Sequence, residues 1–208
     1  MNRHKLTNYI TKIAIFAALS TVLYMVPKFP LPFLFPGFLE VQFSNLPAIL
    51  GGFITGPIGG VLILVIKTII KLFVGSHTAG VGELADLMIG VSSILTSSLI
   101  YQKNRTKKGG IIALICGVIA WVVASIIANG TFLIDFYAKF YADKGGLDMI
   151  IQVCSKVLPN INRENFMITY LLGAVLPFNL MLSVIVSIVT FLVYKRVSIL
   201  FNREAKGE

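Results

Sequence analysis

Between Leu64 and Gly90 the chain reads LVIKTIIKLFVGSHTAGVGELADLMIG, two strongly apolar stretches joined by a turn of small residues. Four ionisable side chains interrupt it, Lys67, Lys71, Glu83 and Asp86. Lys67 and Lys71 are one helical turn apart and so share a face; Glu83 and Asp86 do the same on the following helix. Lys71 and Glu83 fall near the ends of adjacent antiparallel helices, which predicts an ion pair between them, while Lys67 lies deeper. Charges inside apolar helices are costly and commonly mark a ligand path. Their bland alternative is a lysine that reaches back to the surface with the acids paired to it.

Two amides stand out in the second half, Asn129 in SIIANGTF and Asn179 in VLPFNLML. An amide in such surroundings needs a partner, either on a neighbouring helix or on a ligand. Pro177, just before Asn179, removes a backbone donor and frees a carbonyl nearby. The turn GSHTAGVG can present backbone amides to a polar ligand, or serve simply as a tight hairpin. Ala14 and Ala18 are four apart, a spacing that lets another helix approach closely.

The elements that must position these groups follow from composition. The chain has 208 residues, 56% hydrophobic and only 13% charged, far from the quarter charged that is usual in soluble domains. Crossing a hydrocarbon core takes roughly 17 to 25 apolar residues per helix. Stretches of that size run approximately over residues 9–26, 57–74, 81–101, 111–134 and 168–194. A sixth, residues 43–54, is short and carries two glycines.

Charge topology decides in favour of that sixth segment. Lys and Arg gather at Arg3, Lys5 and Lys12, at Lys103 to Lys108, and from Lys195 to Lys206. If all three clusters are cytoplasmic, an even number of crossings must separate each pair. The expectation is therefore an all-α, integral membrane six-helix bundle with both termini cytoplasmic and residues 1–208 in one domain. The net charge of +9 becomes an orientation signal and an attraction to anionic lipid, with no nucleic-acid partner implied. The N-terminal apolar run lacks a small-residue cleavage pattern and is expected to be a retained span.

Elaboration falls on the non-cytoplasmic side. The segment PKFPLPFLFPGFLEVQ is too rich in Pro for a helix and too apolar for a solvated linker, so it is expected to fold back over the bundle. In residues 135–165 one face collects Leu147, Ile150, Ile151, Cys154 and Leu158, which predicts a short amphipathic helix at the outer interface. Catalytic and metal patterns are missing. There are two His, no phosphate-loop, nucleophile-elbow or zinc-helix motif, and Cys116 and Cys154 read as packing residues. Neither an enzyme nor a cofactor or metal is expected.

Taken in order, FPLPFL, FSNLPAILGGFITGPIGG, GVGELADLMIG and GAVLPFNLMLSVIVSIVTFLVYKR resemble the substrate-binding S components of energy-coupling factor (ECF) vitamin transporters, most closely the riboflavin-type branch. The resemblance implies capture of a B-type vitamin at the plasma membrane, with a transmembrane coupling subunit (EcfT-like) and two cytoplasmic ATPases as partners. It implies that Ala14 and Ala18 contact the coupling subunit. It also implies that residues 30–42 and 75–82 gate a pocket, and that Asn129 and Asn179 bind the ligand's ring. Lys67, Thr78, Gly82, Glu83 and Phe43 complete the implied substrate-binding set. The chain departs from the branch at three places: Leu182 where a lysine is usual, Thr68 where Asn is frequent, and GELADL in place of GELANF. Riboflavin is the first choice, with pantothenate, pyridoxine or a thiamine precursor as other vitamins and a stand-alone secondary carrier as a rival class.

Overall fold

The computed structural model describes residues 3–25, 28–76, 78 and 80–206, with side chains up to Tyr194. His77 of the glycine-rich turn, Val26 at the end of the first expected span, and the side chains of the C-terminal basic cluster lie outside the described residues. Helix α1 spans Arg3–Met25 and is followed by a two-stranded ribbon, β1 (Phe29–Pro30) and β2 (Glu40–Val41). The ribbon is antiparallel, with Phe29 opposite Val41 and Pro30 opposite Glu40. Then come α2 (Asn45–Thr55), α3 (Pro57–Val74), α4 (Val81–Lys103), α5 (Lys107–Ala128), α6 (Ile134–Phe140), α7 (Gly146–Ser155), α8 (Phe166–Tyr170) and α9 (Leu176–Lys206). A π-helical turn joins α5 to α6 over Asn129–Leu133, and another joins α8 to α9 over Leu171–Val175. Among the described residues, five continuous helical stretches are long and apolar enough to cross a membrane: Arg3–Met25, Pro57–Val74, Val81–Lys103, Lys107–Phe140 and Phe166–Tyr194.

The sixth apolar helix, α2, has 11 residues. At 1.5 Å per residue it is about 16 Å long, half a hydrocarbon core. A helix that short survives in lipid only if other helices surround it, and α2 does contact α1, α3, α4 and α9. Eight of its residues are buried, so its apolar composition reflects core position as much as lipid contact.

Glycines permit this central packing. Gly56, between α2 and α3, has φ 92°, a left-handed conformation that turns the chain within the TGP link at little cost only for glycine. Pro57 then occupies the first turn of α3, where its missing N–H has no helical partner to lose. At Gly60 a Cβ would sit 2.9 Å from the Gly52 Cα and 2.6 Å from the Ile94 Cγ2, so α2, α3 and α4 meet here at backbone distance.

Two large buried apolar clusters result among the described residues, with a small third around Val81, Ala128 and Leu133. The larger gathers Phe16, Ile49, Ile63, Leu64, Ile94 and Trp121 from the long helices. The smaller forms where α6, α7, α8 and the following π turn meet, around Ile150, Cys154, Phe166 and Tyr170. Leu39, from the segment between the two strands, packs against both clusters. That segment folds back over the bundle as its Pro and Phe content predicts, with Phe35 set edge-on to Phe178 at 5.2 Å. α7 carries the expected amphipathic face, burying Ile150 and Cys154.

Replacing Gly60 with alanine should push α2, α3 and α4 apart and destabilise the protein by ~1–3 kcal/mol, read as a lower thermal unfolding midpoint in detergent. Burial pushes the Cys154 thiol up to about 12, so the folded protein should resist maleimide at neutral pH in a Cys116→Ala background and label rapidly once unfolded. Because the raised value favours the protonated thiol of the folded state, this residue's contribution is intact at neutral pH. It fades as pH rises from the ordinary thiol range towards about 12.

Candidate functional site

The hairpin that opens the sequence analysis builds one wall of a cavity. Lys67 is fully buried on α3, and its Nζ donates to Asp86 Oδ2 at 2.6 Å, Asn45 Oδ1 at 2.8 Å and Ser44 Oγ at 3.0 Å. All three ammonium donors are thereby used. The cation also lies 4.9 Å from the centre of the Tyr24 ring. The second Asp86 oxygen, Oδ1, accepts from Gln42 Nε2 at 3.0 Å and Asn45 Nδ2 at 3.1 Å. Ser20 Oγ donates to the Ser44 carbonyl, so α1, the start of α2, α3 and α4 are tied to one charge pair.

The expected Lys71–Glu83 ion pair is absent among the described residues. Lys71 Nζ donates to the Gly75 carbonyl at 2.7 Å, closing its own helix end. Glu83 Oε2 instead accepts the hydroxyls of Ser76 at 2.7 Å and Thr78 at 3.1 Å. Lys67 and Asp86 are partners because both sit about one and a half to two turns below the hairpin, a depth match readable from antiparallel geometry.

A cavity of about 300 Å³ opens beside this wall, at the small end of the range usual for ligand pockets. Its lining includes Thr78, Gly82, Glu83, Asp86, Asn129 and Asn179. Five of the seven expected substrate-binding residues therefore share one cavity. The other two do not line it. Lys67 stands behind Asp86, and Phe43 packs against the larger core cluster. Of the departures from the riboflavin-type pattern, Leu182 and Asp86 line the cavity. Thr68 does not, and its hydroxyl is buried without a hydrogen-bond partner in the described structure.

The two asparagines are held alike. Asn129 donates to the Ser125 carbonyl at 2.8 Å and accepts from the Tyr170 hydroxyl at 3.1 Å. Asn179 donates to the Val175 carbonyl at 2.9 Å and accepts from Trp121 Nε1 at 3.0 Å. Each amide keeps one N–H and one oxygen lone pair uncommitted. Each also sits against a π-helical turn, Asn129 as its first residue and Asn179 just after the turn that precedes Pro177. Such turns absorb a helix irregularity and recur at functional sites. Pro177 accounts for the second turn, since it cannot donate to the carbonyl one turn earlier.

Sequence reasoning missed the aromatic wall. Tyr24, Trp121, Tyr137, Tyr170 and Phe178 all line the cavity. One signal was available: the single Trp lies two turns before Asn129 within an apolar span, and a buried indole N–H demands an acceptor. The tyrosines come from α1, α6 and α8, and nothing in their spacing predicts convergence.

Fold and site together define a multi-pass membrane protein that encloses a small-molecule cavity towards one end of its helices, lined by amides, carboxylates and aromatic rings. Residues 8–194 match the family model of the ECF transporter, substrate-specific component, and the chain belongs to that family. It is thus the substrate-binding part of a plasma-membrane transporter and not an enzyme. A riboflavin transporter, RibU, of Staphylococcus aureus (strain TCH60) is 28% identical over 191 residues, covering 92% of this chain and 90% of the relative. The riboflavin transporter FmnP of Bacillus subtilis (strain 168) is 25% identical over 189 residues, covering 89% and 90%. The solved structure of the S component of a bacterial ECF transporter superposes with a TM-score of 0.67 at 24% identity, covering 94% of this chain and 98% of that one.

Removing the Asp86 charge alone should be costly, because Lys67 would stay buried without a counter-ion. Asp86→Leu is expected to lose ~3–5 kcal/mol, measured by thermal unfolding in detergent. The double change Lys67→Met with Asp86→Leu should recover most of that loss.

Proposed function

We propose that this chain captures riboflavin from outside the cell and delivers it through a transmembrane coupling subunit driven by two cytoplasmic ATPases. The observation that carries the reading is the pair Asn129 and Asn179, both on the cavity wall, each with one free donor and one free acceptor. A flavin ring presents alternating carbonyl and N–H groups along one edge, which is the complement such amides require. Tyr24, Tyr137 and Tyr170 supply faces and edges for a flat aromatic ligand. The names of the relatives point the same way.

In this reading Thr78, Gly82 and Glu83 contact the ligand from the turn after α3, while Lys67 braces Asp86 and touches no ligand. Glu83 has one oxygen without a hydrogen-bond partner in the described structure, suited to a hydroxyl donor of the ligand's side chain. Six crossings, with both termini cytoplasmic, put the cavity at the outer face. Ala14 and Ala18 are exposed on α1, where a helix of the coupling subunit can approach closely.

Leu182 favours a second reading. It is 4% exposed and lines the cavity where the riboflavin-type pattern has a lysine, so one ligand acceptor would lack a donor, at a cost of ~1–3 kcal/mol. A vitamin with fewer acceptors on that side would not incur it. The purified protein decides between them. A stoichiometric flavin absorption spectrum supports riboflavin; a colourless protein that fails to quench added riboflavin fluorescence overturns it, and mass spectrometry then identifies any co-purified vitamin. Asn179→Leu should weaken riboflavin binding by roughly a hundredfold or more, through the lost contacts and the orphaned Trp121 N–H, while membrane insertion is unchanged.

A further inference from the structure

Away from the ligand cavity, α5 and α9 enclose a second groove of about 530 Å³, open along its outer side. Ile111, Ile115 and Ile119 line it from α5, and Val184, Ile188 and Leu192 from α9. Leu114 forms a buried floor. The outer rims are well exposed, with Ile115 and Ile188 at 55% and Leu192 at 64%. Among the described residues, Ser187 is the one polar side chain in this lining.

Both apolar stripes run into cations at the same end. Lys107 and Lys108 precede Ile111 by one helical turn on the same face of α5, and both are exposed. Lys195 and Arg196 follow Leu192 by one turn on α9. The helices are antiparallel, so these four positions lie at one level. The sequence holds no Asp or Glu between Asp86 and Asp135, none between Glu164 and Glu204, and none before Glu40. α1 and α5 therefore carry no carboxylate, and those of α4, Glu83 and Asp86, lie at the opposite end of that helix; neither Lys107 nor Lys108 forms a salt bridge with a described residue.

We propose that this groove seats one acyl chain of an anionic phospholipid whose phosphate is held by Lys107 and Lys108. Length selects a lipid over a protein helix. From Ile111 to Ile119 the groove extends about 12 Å, close to the ~15 Å of one leaflet and well short of the ~30 Å that a spanning helix would occupy. Charge selects the headgroup, since Lys107 and Lys108 are exposed at the groove's end without a salt bridge to a described residue, where an anionic phosphate would sit.

Native mass spectrometry of the full chain in micelles doped equally with phosphatidylglycerol and phosphatidylcholine of the same acyl composition tests the assignment. One phosphatidylglycerol should be retained about tenfold over phosphatidylcholine. Lys107→Gln with Lys108→Gln should bring that ratio close to one, and Ile115→Trp, which fills the groove, should remove the adduct with both lysines intact. Equal retention of the two lipids by the unaltered protein overturns the proposal, as does an adduct that survives Ile115→Trp. A dimer of the chain that Ile115→Trp dissociates would assign the groove to a second copy and equally overturn it.

Discussion

The Lys67–Asp86 pair is the constraint around which the polar half of the molecule is organised. An unpaired ammonium in this interior would be prohibitively costly, and even a paired one is tolerated only when its remaining donors are satisfied. Ser44 and Asn45 meet that demand, and they can do so only because the chain returns from the ribbon and begins α2 beside α3. Gln42 and Asn45 then complete Asp86. One buried charge pair thus sets where the proline-rich segment ends, where α2 starts and how α3 and α4 pack at that level. Its saturation has a further consequence: Asp86 shows the cavity a carboxylate already committed on both oxygens, so it shapes the wall more than it offers a bond.

Spare hydrogen-bonding capacity on the cavity wall lies with two asparagines. Asn129 and Asn179 are each fixed through one donor and one acceptor and keep the other half of the amide free. Their backbone carbonyl partners lie one turn earlier in helices that loosen into π turns beside them. Positioning by backbone and aromatic neighbours lowers the entropy that a ligand must overcome on binding. Towards the other end, Phe53, Tyr101 and Tyr194 form a compact aromatic cluster, with Phe53 stacked on Tyr101 at 4.4 Å and the two tyrosine hydroxyls hydrogen bonded to each other. The cavity therefore lies towards the end of the bundle where α3 meets α4, while the opposite end is closed by packed rings.

Much of this was legible in the sequence. Apolar length and charge clustering specify long lipid-exposed helices, because an unpaired backbone amide has no partner in hydrocarbon. The order of motifs, from FSNLPAILGG to VLPFNLML, carried the family resemblance, and the two asparagines were identifiable because amides are rare in such spans. α2 was legible as a short apolar run over residues 43–54, but its 11 residues are too few to specify a crossing by hydropathy.

What the sequence determined by itself was the kind of protein: a membrane helical bundle with a handful of polar groups too costly to be there without partners. Only the tertiary structure decided who those partners are. Depth below the hairpin matches Lys67 to Asp86, but only the rotation of α3 against α4 turned the two towards each other and left Glu83 to the hydroxyls of Ser76 and Thr78. Tyr24, Tyr137 and Tyr170 come from α1, α6 and α8 and line one cavity, a convergence that packing alone produces. Periodicity reports which face of a helix is polar, but the azimuth of each helix about its axis is set by packing against its neighbours, and it is the azimuth that selects the contacts.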